Sequence, residues 1–373
     1  DPILLARFRV ARLGFLAGDG EFGSCVINTV GIGTAIRLND SSVDPTGAEL
    51  TSLEGCVDDY EARLAADTWG KRIDTPPEFI YASDVPSRIR ELLEEAIVAA
   101  TVEWRNYGPL EYWVAGLDVP AAEELADQYC QRRDDRDEMP KADCLENQHT
   151  AKFLVEQAAL SAERVAAGRA GGSAGRNGNR DWGIHLFSSS YLICFDDRNF
   201  CPYADEQKTA FHEYFHAVQH AHIWSKDRDT RRALMGPMWW SEGGAEYMAQ
   251  VVSQRLREDG TLTASSWNPY IDRMTWKMEE VREWMADNGG ASASTVGYGP
   301  DQGVGYEYGT WAHAWLAERF GADVLLDSFY ANLNDLGWEG SFVNAYGMTS
   351  ADFLAEFDAF VNLPIATQVL ILD

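Results

Sequence analysis

The 373-residue chain has no uninterrupted apolar run of about 18 residues, so nothing in it reads as a membrane-spanning helix. It has no C-x-x-C pair, which removes the common structural-zinc and dithiol redox motifs. No internal repeat is visible. Basic residues are scarce: 31 Lys and Arg stand against 59 Asp and Glu, for a formal net charge of −28. A field of that sign repels nucleic acid and anionic membranes, and both are excluded as expected partners. The opening DPILLARFRVARLGFLAG is broken by Arg7, Arg9 and Arg12 and lacks the apolar core of a signal peptide. Export would imply that a leader preceded this numbering.

Material for sizeable cores is plentiful. Apolar residues make up 46% of the chain, with 13 Trp, 15 Tyr and 16 Phe, and the length fits two or three packed subdomains. Six cysteines fall at 25, 56, 130, 144, 194 and 201. Local spacing suggests the pairs Cys25–Cys56, Cys130–Cys144 and Cys194–Cys201, out of fifteen possible connectivities. Such pairing suits an oxidising compartment, hence a secreted or periplasmic protein; six reduced thiols are the alternative.

Residues 1–75 are punctuated by Gly and Asp and read as a small β-rich or irregular N-terminal segment. Residues 76–258 read as a catalytic subdomain and 259–373 as a helical C-terminal subdomain. In the second of these, EFIYAS (78–83) and LEYWVAG (110–116) read as strands flanking a helix that Asp84 can cap. Residues 118–147, with the charge run RRDDRDE, read as a solvated insertion. A helix from about 152 is followed by GRAGGSAGRNGNR, whose glycines predict a loop, and then by strand-like WGIHLFSSSYLICF (182–195). Helices are expected at about 205–222, 241–257, 269–287, 306–320 and 350–361. The glycine- and serine-rich stretch 289–305 reads as a flap over the site. Strands early and helices late give an α+β organisation.

The chemistry is concentrated at His212-Glu213-Tyr214-Phe215-His216, an H-E-x-x-H motif. On a helix the two imidazoles lie one turn apart on one face and can share a metal ion, with Glu213 beside them as a base. Three fixed letters recur by accident in roughly one chain per hundred of this length at ordinary residue frequencies. Here the host segment has its own helical signature: Phe211, Tyr214, Phe215 and Val218 supply an apolar face, and no Gly or Pro interrupts 203–223. Downstream, WWSEGGAEY (239–247) sets Glu242 and Glu246 four apart, with Gly243 and Gly244 permitting close helix–helix approach. Glu242 is the preferred third ligand and Glu246 the acceptor for a ligand imidazole N–H. His222 is the rival third ligand. It would need the chain to turn back at 219, where glutamine stands; on a continuous helix it lies about two turns from His212. His149, His185, His220 and His313 read as packing residues.

HEYFHAVQ followed by WWSEGGAEY resembles the gluzincin zinc metallopeptidases, which use two histidines and a downstream glutamate. Within that group, H-E-Y-x-H and W-x-x-E-G-G-A-E are most similar to the catalytic segment of bacterial collagenases, over about 40 residues. The resemblance implies a zincin-like (thermolysin-like) α+β catalytic domain, a mixed sheet with an active-site helix, and one catalytic Zn2+. It implies a peptide or protein substrate and hydrolysis by water that Glu213 deprotonates. Tyr306, opening Y-x-x-G, takes the role of oxyanion donor, with Tyr308 as fallback. The strand near Gly183, His185 and Phe187 takes the role of the edge that binds substrate backbone. The chain lacks the G-x-M-E-N element of aminopeptidases, which favours endopeptidase action, and it lacks the flanking domains with which collagenases engage triple helices. A zinc hydrolase of a non-peptide ester or amide, and an inactive binding protein, are the alternatives. Nothing in the sequence assigns a calcium site or an oligomeric state.

Overall fold

The structure is a computed structural model that describes residues 20–39, 48–49, 51–56, 58–59, 72–147, 150–167, 174–179, 183–188, 206–223, 228–263 and 269–372. The chain divides into two compact units, one of Asp1–Gly70 with Trp224–Arg231 and the other of Lys71–Ile223 with Arg232–Asp373.

In the first unit the described residues are helical, where a β-rich or irregular segment was expected. Helices α1 (Gly20–Val30) and α2 (Ile32–Asn39) are joined at Gly31, whose φ of 82° is one that glycine tolerates. A disulfide between Cys25 and Cys56 ties α1 to the helical residues at 51–56, around buried Val26 and Leu53.

The second unit runs β1 (Glu78–Tyr81), α3 (Ser87–Trp104), β2 (Leu110–Val114), α4 (Val119–Asp135), α5 (Lys141–Glu146), α6 (Ala151–Ala166), β3 (Ala174–Asn179) and β4 (Gly183–Ser188). It continues with α7 (Glu206–Ala221), α8 (Arg228–Met235, which begins in the other unit), α9 (Met238–Glu258), α10 (Tyr270–Asp287), α11 (Gln302–Phe320), α12 (Leu333–Tyr346), α13 (Ser350–Val361) and α14 (Ile365–Gln368). The four strands form one small sheet in the order β1-β2-β4-β3, with β1–β2 and β2–β4 parallel and β3–β4 antiparallel.

Helix dominates the described residues, and the strands are only four to six residues long. The expected α+β, zincin-like fold is therefore corrected to a predominantly helical architecture with one minor sheet. Two misread stretches show why. Residues 118–147 do not form a solvated insertion. α4 buries Ala122, Leu125, Ala126, Tyr129 and Cys130, and a Cys130–Cys144 disulfide joins it to α5. Arg133, from the charge run, is fully buried with its guanidinium 3.0 Å from both Glu111 and Glu138. A charge run reads as surface until the partner carboxylates, here 22 residues upstream on β2 and five downstream, are known to close on it. Part of the glycine-rich stretch expected to be a loop is strand β3, because its backbone pairs with β4 in an antiparallel ladder.

Asp84 does not cap α3, which starts behind Pro86 without a side-chain cap. Its carboxylate accepts instead from the backbone N–H groups of Leu117 (2.6 Å) and Asp118 (2.9 Å), bracing the turn from β2 into α4. Residues 302–305 of the expected flap form the first turn of α11, and the remainder carries a 3-10 turn at Ala293–Thr295. Among the described residues no helix is long and apolar enough to cross a membrane. The Cys194–Cys201 pair lies outside the described residues, as does His149.

Candidate metal centre

Helix α7 forms because Phe211, Tyr214, Phe215 and Val218 recur on one face, and all four are fully buried. Trp104, at the end of α3, packs edge-on against Phe211 and Phe215 and stacks on Tyr214, whose hydroxyl donates to the Arg105 carbonyl. With that face committed, His212 and His216 project from another side of the helix, 6% and 8% exposed. α9 lies against α7 and supplies Glu242, also 8% exposed.

The three side chains converge. His216 Nε2 lies 3.1 Å from His212 Nε2 and 3.0 Å from Glu242 Oε2, and His212 Nε2 lies 3.4 Å from the same oxygen. Among the described residues these three form the one His/Cys/Asp/Glu group close enough to hold a metal ion. The outer nitrogens fix the tautomers. His212 Nδ1 lies 3.1 Å from Glu246 Oε2, an acceptor only, so Nδ1 carries the proton. His216 Nδ1 lies 2.7 Å from Gln219 Oε1, and the Gln219 amide is oriented by donating to the Ser241 carbonyl at 2.9 Å. With both Nδ1 atoms engaged by these acceptors, the two Nε2 atoms and a carboxylate oxygen face one point, a donor set that suits a cation.

The surrounding carboxylates favour positive charge at this point, whether carried by a proton or by a metal ion. Burial opposes a charge on His212, yet hydrogen bonding to Glu242 and Glu246 outweighs it and pushes the imidazole up to about 9. Burial likewise opposes ionisation of Glu242, and the two imidazoles overcome it, holding the carboxyl far below the ordinary range.

Glu246 is the hub of a second layer. It accepts from His212, from Lys208 Nζ (2.9 and 2.7 Å), from Lys277 Nζ (3.1 Å) and from Gln250 Nε2 (2.9 Å). Lys277, itself buried on α10, also pairs with Glu307 of α11. Of the sequence-derived candidates, Glu213 is half-buried beside His212, and its charge acts on both His212 and the Tyr306 hydroxyl. The Tyr306 ring stacks on His212 at 5.7 Å. Tyr308, the fallback, is committed elsewhere, with its ring against Trp239 and Phe357 and its hydroxyl on Asp358 at 2.8 Å.

His222 also stays out of the cluster. Its Nδ1 faces the Val218 carbonyl at 2.8 Å and its ring packs on Tyr107 and Tyr330. The expected edge strand needs correcting: Gly183, His185 and Phe187 lie on β4, which is paired on both sides, and the outer strands are β1 and β3. Both its edges are saturated because β3 forms where a loop was expected.

Four contributors were not singled out in the sequence: Gln219, Lys208, Lys277 and Tyr298. Gln219 had a signal, since it lies three residues after His216 on the same helix face. Tyr298, whose hydroxyl donates to Glu242 Oε1 at 2.5 Å, had none. Scans against family models, curated proteins and solved structures found no match for this chain.

Proposed function

We propose that this protein is a zinc-dependent endopeptidase whose metal is held by His212, His216 and Glu242. One observation carries the reading: two imidazole lone pairs and a carboxylate oxygen meet at separations of 3.0, 3.1 and 3.4 Å. Ligands about 2.0–2.1 Å from a tetrahedral zinc ion stand roughly 3.3 Å from each other, so the donor set suits that ion in both chemistry and spacing. Three protein ligands leave one position for water, as catalysis needs. Bound there, zinc polarises a carbonyl and lowers the pKa of water towards neutrality.

Glu213 takes the water's proton and passes it to the leaving amine. Burial and the neighbouring Glu242 charge raise the Tyr306 hydroxyl, so it stays protonated and serves as a donor to the oxyanion. Glu246 fixes the His212 ring, and Gln219 the His216 ring. Substrate main chain adds to β3, the outer strand that packs beside α7. The ligand pattern of two histidines and a later glutamate is that of gluzincins, and the proposal extends to their chemistry without extending to collagen as substrate. The two disulfides among the described residues suit work in an oxidising setting, as a secreted or periplasmic enzyme.

Metal analysis of purified protein tests the site. About one zinc per chain is expected in the native sequence, with loss in His216→Ala and Glu242→Ala; full zinc retention in Glu242→Ala refutes the ligand set. Cleavage of casein, abolished by a chelator and restored by zinc, tests the reaction. Turnover of esters with none of peptides would reassign the substrate while leaving the centre intact.

A further inference from the structure

The two carboxylate oxygens of Glu242 are engaged differently. Oε2 faces both Nε2 atoms, at 3.0 and 3.4 Å, whereas Oε1 accepts from the Tyr298 hydroxyl at 2.5 Å. Tyr298 belongs to neither the α7 motif nor the α9 motif. It sits in the connection 288–301, between Gly297 and Gly299, and remains 65% exposed although its hydroxyl reaches a carboxylate on a buried residue.

The connection does not depend on Tyr298 for its anchorage. Ser292 Oγ donates to Asp358 at 3.0 Å, Ala293 is fully buried, and Ser292 caps the 3-10 turn by accepting from the Ser294 N–H. Tyr298 is thus a largely exposed ring whose hydroxyl is directed at a metal-ligand candidate and at the adjacent Ser241.

We propose that Tyr298 is a positioning residue that confines Glu242 to metal ligation through a single oxygen. A carboxylate beside a divalent cation binds through one or both oxygens, and a hydrogen bond to one of them withdraws it from the metal. A second oxygen on zinc would crowd the position that water and the scissile carbonyl need. The inference rests on the His212–His216–Glu242 reading and adds the reason for a tyrosine here.

The test uses the full chain, native and Tyr298→Phe, loaded with Co2+ in place of zinc. X-ray absorption and the visible d–d bands report coordination number without recourse to activity. The expected outcome is a four-coordinate ion in the native protein and an added oxygen ligand, with weaker visible bands, in Tyr298→Phe. Metal transfer to a chelator should be several-fold slower in the variant, because two oxygens must let go. Simple loosening of the site predicts the opposite, faster loss at unchanged coordination, and that result overturns the proposal. So does an identical spectrum in both proteins. Absence of bound metal from the native protein overturns the ligand reading itself and this inference with it, whereas metal in both with unchanged coordination overturns this inference alone. Tyr298→Ala, measured alongside and checked by circular dichroism, must reproduce the added ligand; a failure to do so in a folded protein also counts against the proposal.

Discussion

Gly243 and Gly309 meet backbone to backbone where α9 crosses α11. A Cβ on Gly243 would lie 2.3 Å from the Gly309 Cα, and one on Gly309 would lie 1.9 Å from the Trp239 carbonyl oxygen. Glu242 directly precedes one glycine, and Tyr306 lies one helical turn before the other. The crossing therefore sets the proposed metal ligand and the proposed oxyanion donor relative to one another. Gly309→Ala must push main chain apart, and overpacking of this kind costs about 1–3 kcal/mol or more. Gly303→Ala is the contrast: exposed in the first turn of α11 with no atom within 4 Å, it is expected to stabilise by about 0.4–1 kcal/mol. Urea midpoints of the two variants should move in opposite directions; a neutral Gly309→Ala contradicts the crossing.

Glu213→Gln keeps the shape of the side chain and removes the proposed base. Zinc content should stay at the native level while kcat falls by about 10²–10⁴-fold. Single-turnover cleavage at saturating substrate measures it, and an unaltered kcat removes Glu213 from proton transfer.

Lys277 is nearly inaccessible between two carboxylates, Glu246 and Glu307. Lys277→Met takes the ammonium from Glu307, while Glu246 keeps Lys208 and His212, and breaking a buried pair in this way costs roughly 3–5 kcal/mol. Burial already raises the Glu307 carboxyl, and Lys277 opposes that rise. The double variant Lys277→Met/Glu307→Gln should accordingly recover part of the loss in denaturant unfolding. No recovery would mean that Glu307 does not depend on this lysine.

His313 gives stability a pH dependence of its own. It is 2% exposed; its Nδ1 donates to the Gly309 carbonyl at 2.9 Å, and its Nε2, against Gly244, has no partner. Burial pushes the imidazole down to about 4. An unfolded histidine takes up a proton near pH 6.5, so between about 6.5 and 4 the unfolded chain holds more protons than the folded one. Stability contributed by the neutral ring is complete above that window, declines as pH falls through it, and levels off below, a change of about 3 kcal/mol. Melting curves of native protein and His313→Gln from pH 7.5 to 4 should converge or cross on acidification, since the variant lacks this component. Parallel curves would show that His313 is as readily protonated when folded as when unfolded.

The site was more legible than the fold, for a physical reason. His212, His216 and Glu242 declare themselves by helical spacing and by the glycines beside Glu242, both of which are local. Helix α13 is equally local, and its expected limits, 350–361, match those observed. Sheet membership is not local. β3 has the composition of a loop and is a strand only because β4 lies beside it, so the outer strand was assigned one position too far in. Arg133 and Lys277 likewise look like surface cations until elements distant in sequence close over them. Tyr298 reaches Glu242 across 56 residues, from a stretch with no periodicity to betray it.

The bridge between Cys130 and Cys144 closes a covalent ring around the point where α4 gives way to α5. If the protein cleaves peptide bonds as proposed, it is exposed to its own kind. A single nick anywhere from 131 to 143 would release no fragment, because the two ends stay linked through sulfur. Such damaged molecules would run at full size on an ordinary gel and separate into two bands only after a reductant is added.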